Sequence, residues 1–124
     1  MRVLLAIALF AAPLSAHHSI VGQFDVSKKV TVRGTIVRVD WINPHPYVVI
    51  DSTGQGSTEK GTTRWAFSAA PIAMLRKVGL TKERLAGNPG EVVTVIAHPA
   101  LNGRPMGWIT KVTYSDGRYF LFSE

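Results

Sequence analysis

Short apolar segments, separated by turn-forming residues, constrain the fold of this chain more than any other feature. Six segments are rich in Val, Ile, Thr and aromatic residues, and turn signals such as Asn43-Pro44 and Asn102-Gly103 lie between them. This pattern indicates a mainly β structure. The predicted strands span residues 30–41, 47–52, 63–69, 91–98, 107–114 and 119–122.

One helical segment interrupts the strands. Pro71 suits the first position of a helix, because its missing N–H has no partner there, and Gly79 suits the end. A second helical turn is predicted at 81–85. The apolar stripe of the first helix comprises Ile72, Leu75 and Val78. The order predicts a small five-stranded OB-like Greek-key barrel with one short helix between strands 3 and 4; an open β-sandwich and an SH3-like barrel are the alternatives.

The first strand changes its inward side near Gly34. Val30 and Val32 share one parity, whereas Val37, Val39 and Trp41 share the other. A glycine at such a switch indicates a bulge or a sharp coil. A strand bent in this way pairs on two sides of a small barrel.

An apolar leader precedes the first predicted strand. Arg2, the apolar run 3–14 and the small residues Ser15-Ala16 follow the pattern of a cleavable signal peptide. About 12 apolar residues are too few to span a bilayer, which takes about 20. We therefore expect a signal peptide at 1–16, a single barrel domain at 17–124, a periplasmic location and no stable membrane insertion after cleavage.

Composition excludes several classes of site. The chain has no cysteine, so it has neither disulfides nor thiolate metal ligands. Its formal net charge of +6 is scattered along the sequence, as in an ordinary solvated surface. In the cell envelope we expect no nucleic-acid partner, although an envelope protein partner remains open. The carboxylates show no paired acid–base spacing, which argues against an enzyme.

Four histidines suggest a metal site. A cut after Ala16 would make His17 the N-terminal residue, with an α-amino group and an imidazole as two possible ligands, and His18 follows it. His45 lies between strands 1 and 2, and His98 ends strand 4; in an OB-like barrel these two places lie at the same end. Neutral nitrogen ligands without thiolate favour copper. The sequence therefore predicts a copper site, with these four histidines as candidate ligands.

Aromatic and thioether side chains accompany the histidines. Trp41 and Trp108 are expected near the site, as a wall or a ligand-stacking surface. Met106 is a possible Cu(I) ligand, whereas Met74 is expected in the core. In the segment before strand 1, Ile20, Val21 and Phe24 are expected to attach the chain to the barrel.

A second interpretation treats the histidines as incidental. His17 and His18 would be a solvated chain end, His45 would bind a backbone carbonyl in a rigid turn, and His98 would only end a strand. The protein would then be an OB-type envelope module that binds a small ligand or a protein partner without metal.

Five short motifs stand out along the chain: Ala-His-His-Ser at 16–19, Phe-Asp at 24–25, Val-Thr-x-x-Gly-x-Ile at 30–36, Trp-x-Asn-Pro-His at 41–45 and Leu-x-Lys-x-Gly-Leu-Thr at 75–81. In these motifs the chain resembles a family of small exported proteins of Gram-negative bacteria whose function is unassigned. The resemblance implies an envelope location, a small β-barrel and roles for His17, His18 and His45, whereas His98 lies outside the family motifs. The chain start is also similar to the histidine brace of copper oxygenases and periplasmic copper carriers.

Overall fold

The computed structural model describes residues 20–52, 54 and 61–122. The expected leader 1–16 and the two histidines after it, His17 and His18, lie outside this part of the chain. Its elements, in chain order, are α1 (Ile20–Gln23), β1 (Val30–Asp40), β2 (Tyr47–Ser52), β3 (Thr63–Ser68), α2 (Ile72–Lys77), α3 (Lys82–Ala86), β4 (Val92–Pro99), β5 (Met106–Tyr114) and β6 (Tyr119–Leu121).

The strands form a closed barrel. They are ordered β3-β2-β1-β4-β5-β6, and β3 pairs additionally with β5. The β3–β5 pairing is parallel, and the other strand pairings are antiparallel. Strands β1 to β5 therefore close a mixed five-stranded barrel, β6 extends one edge, and α2 and α3 lie between β3 and β4 in sequence. This arrangement confirms the predicted mainly β, OB-like fold.

Strand β1 serves two sides of this barrel. Residues 30–35 pair with β4, and residues 34–40 pair with β2. Gly34 belongs to both sets, because it lies opposite Ser52 on one side and Val93 on the other. The predicted use of one coiled strand by two sides of the barrel is therefore confirmed.

The bulge itself is not at Gly34; of the two predicted alternatives, a bulge or a sharp coil, the coil applies at this glycine. The β1–β2 register shifts between Ile36 and Arg38, so that Val37 is the extra residue; its side chain is exposed, and its expected inward parity was wrong. Gly34 has a different role, since a Cβ at this position would collide with the backbone carbonyl of Asp51. The glycine permits close approach of two strands rather than an inserted residue.

Inward-facing aliphatic side chains fill the barrel. Val32, Val95 and Val112 are buried on successive strands β1, β4 and β5, and Phe67 on β3 is fully buried. The hydroxyl of Tyr114 donates a hydrogen bond to the carbonyl of Leu85 at 2.5 Å, which joins α3 to β5. Burial of these apolar side chains is the main favourable contribution to folding.

Helix α2 ends earlier than its apolar stripe indicated. Ile72 and Leu75 are buried, but Val78 is the exposed C-cap residue, so its placement in the buried stripe was wrong. Gly79 has φ +75°, and the N–H of Leu80 donates to the carbonyl of Leu75 at 3.0 Å. This Schellman-type ending turns the chain and places Leu80 in the core instead.

Met74 is also exposed on α2, so its expected place in the core was wrong. It lies two residues after Ile72 and one before Leu75, and a helix with about 3.6 residues per turn cannot direct all three side chains to the same face.

No helix in the described part of the chain is long and apolar enough to cross a membrane.

The carboxylate of Glu91 connects the turn before β4 to the end of β5 through hydrogen bonds. Its carboxylate accepts hydrogen bonds from the backbone N–H of Asn88 at 3.0 Å and from the hydroxyl of Ser115 at 2.8 Å, and the guanidinium of Arg118 lies 3.8 Å away. These interactions, the bond from Asn88 foremost, lower the pKa of Glu91 below its ordinary value of 4.5.

We expect Gly34→Ala to destabilise the protein by about 2–3 kcal/mol, because the added methyl group forces β1 away from Asp51. Urea unfolding measures the effect. Gly22→Ala is the matched control, since a Cβ there meets no atom within 4 Å. Equal stability of the two variants would contradict the close-approach argument.

We expect Glu91→Gln to weaken the fold at neutral pH and to reduce its loss of stability in acid. A carboxyl group with a lowered folded pKa stabilises the native state above about pH 4.5, and this contribution is lost as the pH falls through the folded value. Urea midpoints at pH 7 and pH 3 should therefore differ less in the variant than in the wild type. The exposed Glu83→Gln provides the control, and an unchanged difference in Glu91→Gln would contradict the assignment.

Candidate metal centre

A hydrogen bond from His45 connects the loop between β1 and β2 to the residue that follows β3. Its Nδ1 lies 3.0 Å from the carbonyl oxygen of Ala69, and the N–H of Ala69 donates to the carbonyl of Pro46 at 3.0 Å. Because a carbonyl oxygen only accepts hydrogen bonds, Nδ1 must carry the hydrogen. The ring orientation is therefore fixed by the main chain and not by solvent.

His98 is held in the same manner at the end of β4. Its Nδ1 lies 2.7 Å from the carbonyl oxygen of Lys28, in the segment that leads into β1. The residue is only 7% exposed. His98 also lies directly opposite Trp108 in the β4–β5 ladder, so the two side chains project from the same face of that ladder.

Trp108 brings the two histidines into one cluster. The His45 ring packs edge-on against its indole, with 5.4 Å between ring centroids, and the ring of Phe24 lies 6.1 Å away on centroids. The indole is 9% exposed. The two imidazoles thus flank a mostly buried aromatic ring at one end of the barrel.

The same tautomer follows for both imidazoles. A neutral ring with its hydrogen on Nδ1 leaves a lone pair on Nε2, and neither Nε2 has a hydrogen-bond partner among the described residues. Histidines that bind metals typically donate their other ring N–H to a carbonyl or carboxylate, which fixes the ring and increases its basicity. The donor set and its support therefore fit a nitrogen-ligated metal.

The N-terminal arm, residues 20–27, passes beside this cluster. Phe24 forms an isolated bridge with Ala100, and the N–H of Leu101 donates to the carbonyl of Gln23 at 2.9 Å. Phe24 is buried, as the sequence predicted, whereas Val21 is exposed and its expected attachment to the barrel was wrong. The arm is thus attached to the loop between β4 and β5, immediately after His98.

A groove opens between the arm and that loop. Its volume is about 230 Å³, and it is lined by Gly22, Gln23, Phe24, Ala100, Leu101, Asn102 and Met106. The lining thus combines the side-chain amides of Gln23 and Asn102 with several apolar groups. The thioether of Met106 therefore lies beside the aromatic cluster, whereas Met74 is on α2 and outside the groove.

The structure brings together some of the candidate site residues. The His45 ring packs on Trp108 and His98 lies opposite Trp108 in the β4–β5 ladder, while Trp41 is partly buried against the core. Over residues 20–52, 54 and 61–122, no three His, Asp or Glu side chains are grouped closely enough to hold a metal ion. Within this part of the chain, the two imidazoles would thus be an incomplete ligand set.

Sequence reasoning missed the two carbonyl groups that orient the imidazoles. Every residue has a carbonyl, so no sequence signal distinguishes those of Lys28 and Ala69. The Asn-Pro-His-Pro turn did indicate a rigid loop, and the alternative in which His45 binds a backbone carbonyl is confirmed by its hydrogen bond to Ala69. That bond uses Nδ1 alone, so it is compatible with a ligand role for Nε2.

Comparison with known proteins gives a family but no activity. A family model described as a family of unknown function, DUF6152, matches residues 5–109. No curated protein matches the chain. No solved structure matches it either.

We expect the neutral imidazoles of His45 and His98 to carry their hydrogen on Nδ1, because each Nδ1 faces a carbonyl oxygen. Long-range ¹H–¹⁵N correlation spectra of metal-free protein at mildly alkaline pH distinguish the two ring nitrogens. Both residues should show a pyrrole-type Nδ1 and a pyridine-type Nε2. The opposite assignment for either ring would remove that ring from the proposed ligand set.

Proposed function

The chain belongs to the family of unknown function DUF6152, and we propose that it is an exported copper-binding protein that carries or buffers the metal in the periplasm. His17 would bind through its α-amino nitrogen and its imidazole, and His45 would supply the second imidazole. His98 or His18 would be the third imidazole ligand.

The observation that carries this proposal is the arrangement around Trp108. One imidazole from the β1–β2 loop packs on this ring and one from the end of β4 lies opposite it, and each has its Nδ1 on a carbonyl group and its Nε2 without a partner among the described residues. A solvated surface histidine does not need such support. Ligands held before the metal arrives lose little conformational freedom on binding, which favours affinity.

Chain length supports a contribution from the expected mature N-terminus. Helix α1 spans four residues, or about 6 Å at 1.5 Å per residue, and three peptide units join Ile20 to His17, or about 11 Å when extended. His17 is therefore within about 17 Å of Phe24, which itself packs on Trp108. An N-terminal ligand can reach the cluster.

The donor set supports copper. Affinity of nitrogen sites for divalent first-row metals is greatest for Cu²⁺, and this chain has no thiolate to favour another metal. A free α-amino group has a pKa of about 7.7–8.0, so a metal ion can displace its proton near neutral pH. The expected signal peptide and Gram-negative envelope location would make this amino group available.

We expect protein that begins at His17 to bind Cu²⁺ with hyperfine structure from at least three nitrogens in its EPR spectrum, and one added N-terminal residue should abolish that signature. Chelator competition gives the affinities. His45→Asn should weaken binding by at least about tenfold, because the asparagine amide keeps a donor for Ala69 but removes the Nε2 ligand.

His98→Asn shows whether His98 or His18 is the third imidazole ligand, because the asparagine amide keeps a donor for the Lys28 carbonyl but removes the Nε2 ligand. Weaker Cu²⁺ binding by this variant would identify His98. Near-ultraviolet circular dichroism checks that each variant keeps its fold. Equal and weak binding by the native start, the extended start and His45→Asn would contradict the proposal.

The groove beside the arm favours a second candidate, a metal-free envelope module that binds a small amphipathic ligand or a protein partner. Its side-chain amides and apolar groups are a suitable mixture for such a ligand. A thermal-shift screen of metal-free protein separates the two functions. Stabilisation that is lost in Met106→Ser and kept in His45→Asn would support the groove.

A further inference from the structure

The outer side of four adjacent strands, β1, β4, β5 and β6, forms a continuous surface. Two cross-strand rows define it, here called the outer face. The rows are Thr31–Ile96–Lys111–Leu121 and Arg33–Thr94–Thr113–Tyr119.

The outer face is open to solvent. Directly opposed residues in a sheet share one side, and the alternate row, Val32–Val95–Val112–Phe120, points inward to the core. On the outer face, Leu121 is 64% exposed and Tyr119 is 56% exposed. These two apolar side chains thus lie at the edge of the sheet in contact with water.

The charges on the outer face are all positive. Arg33 and Lys111 are its two ionisable side chains apart from the tyrosine, and neither forms an ion pair among the residues that the structure describes. The ammonium group of Lys111 lies 4.7 Å from the centroid of the Tyr119 ring. The Lys111 ammonium group, the Tyr119 ring and the Leu121 side chain are therefore neighbours on the outer face.

This combination fits a lipid surface better than other polyanions. Lipid phosphates would attract the two cations, and Tyr119 and Leu121 are suited to the boundary between headgroups and acyl chains. A single-stranded nucleic acid would need several stacking rings, whereas this face has one, already covered by Lys111. A soluble acidic protein would gain little from an isolated leucine at the sheet edge.

We infer that the outer face docks the protein reversibly onto an anionic phospholipid membrane, with Arg33 and Lys111 on the headgroups and Leu121 at the acyl boundary. The contact is peripheral and needs no spanning segment. The outer face shares no residue with the candidate metal centre, so the two proposals are tested by different variants.

Co-sedimentation with vesicles tests this inference. The wild-type protein should bind vesicles of about three parts phosphatidylcholine to one part phosphatidylglycerol, and it should not bind phosphatidylcholine alone. Arg33→Ala with Lys111→Ala should weaken binding about 25-fold, since each surface cation contributes about fivefold. Leu121→Ser should weaken it several-fold.

Matched variants elsewhere on the barrel provide the controls. Lys77→Ala with Lys82→Ala removes the same charge from exposed helical positions, and Val78→Ser removes an exposed aliphatic group. Both should change binding less than twofold. Equal losses in the two double variants would show attraction by net charge alone and overturn the inference. Absence of binding, or equal binding to soluble heparin with no effect of Leu121→Ser, would also overturn it.

Discussion

The short parallel contact between β3 and β5 is the interaction on which the rest of the structure depends. Three register pairs, Ala66 with Met106, Phe67 with Gly107 and Ser68 with Trp108, close the barrel. Gly107 is needed there, because a Cβ would lie within about 3.1 Å of Ala97, His98 and Phe67. Closure therefore requires a residue without a side chain directly before Trp108. It also places that indole between the end of β3, where His45 is anchored, and His98 on β4.

The fold was largely predictable because its signals are local. The bounds of β2 agree with the prediction, since apolar residues and turn residues mark both of its ends. Gly34 indicated correctly that β1 coils, but its sequence context does not distinguish a bulge from a close strand contact, which only Asp51 on the neighbouring strand decides. Val78 and Met74 were misplaced because the end of α2 depends on the turn at Gly79, which removes the final residues of the stripe from the core.

The candidate site was predictable in part, through topology. An OB-like order places the β1–β2 loop and the end of β4 at one end of the barrel, and His45 and His98 are both next to Trp108. The carbonyl groups of Ala69 and Lys28 were not predictable, because main-chain acceptors carry no sequence signature. These contacts couple the imidazole orientations to two distant segments of the chain. The site is thus a property of the closed barrel rather than of a local motif.

Trp108 gives the candidate centre an intrinsic optical reporter. Its indole touches His45 and Phe24 and lies opposite His98, so its emission reports on events at either imidazole. Trp65 stacks on Phe67 in β3, with 5.6 Å between ring centroids, and packs on neither imidazole among the described residues, so it provides an internal reference. The geometry that assembles the histidines therefore also makes their occupancy visible in the fluorescence of the unlabelled protein.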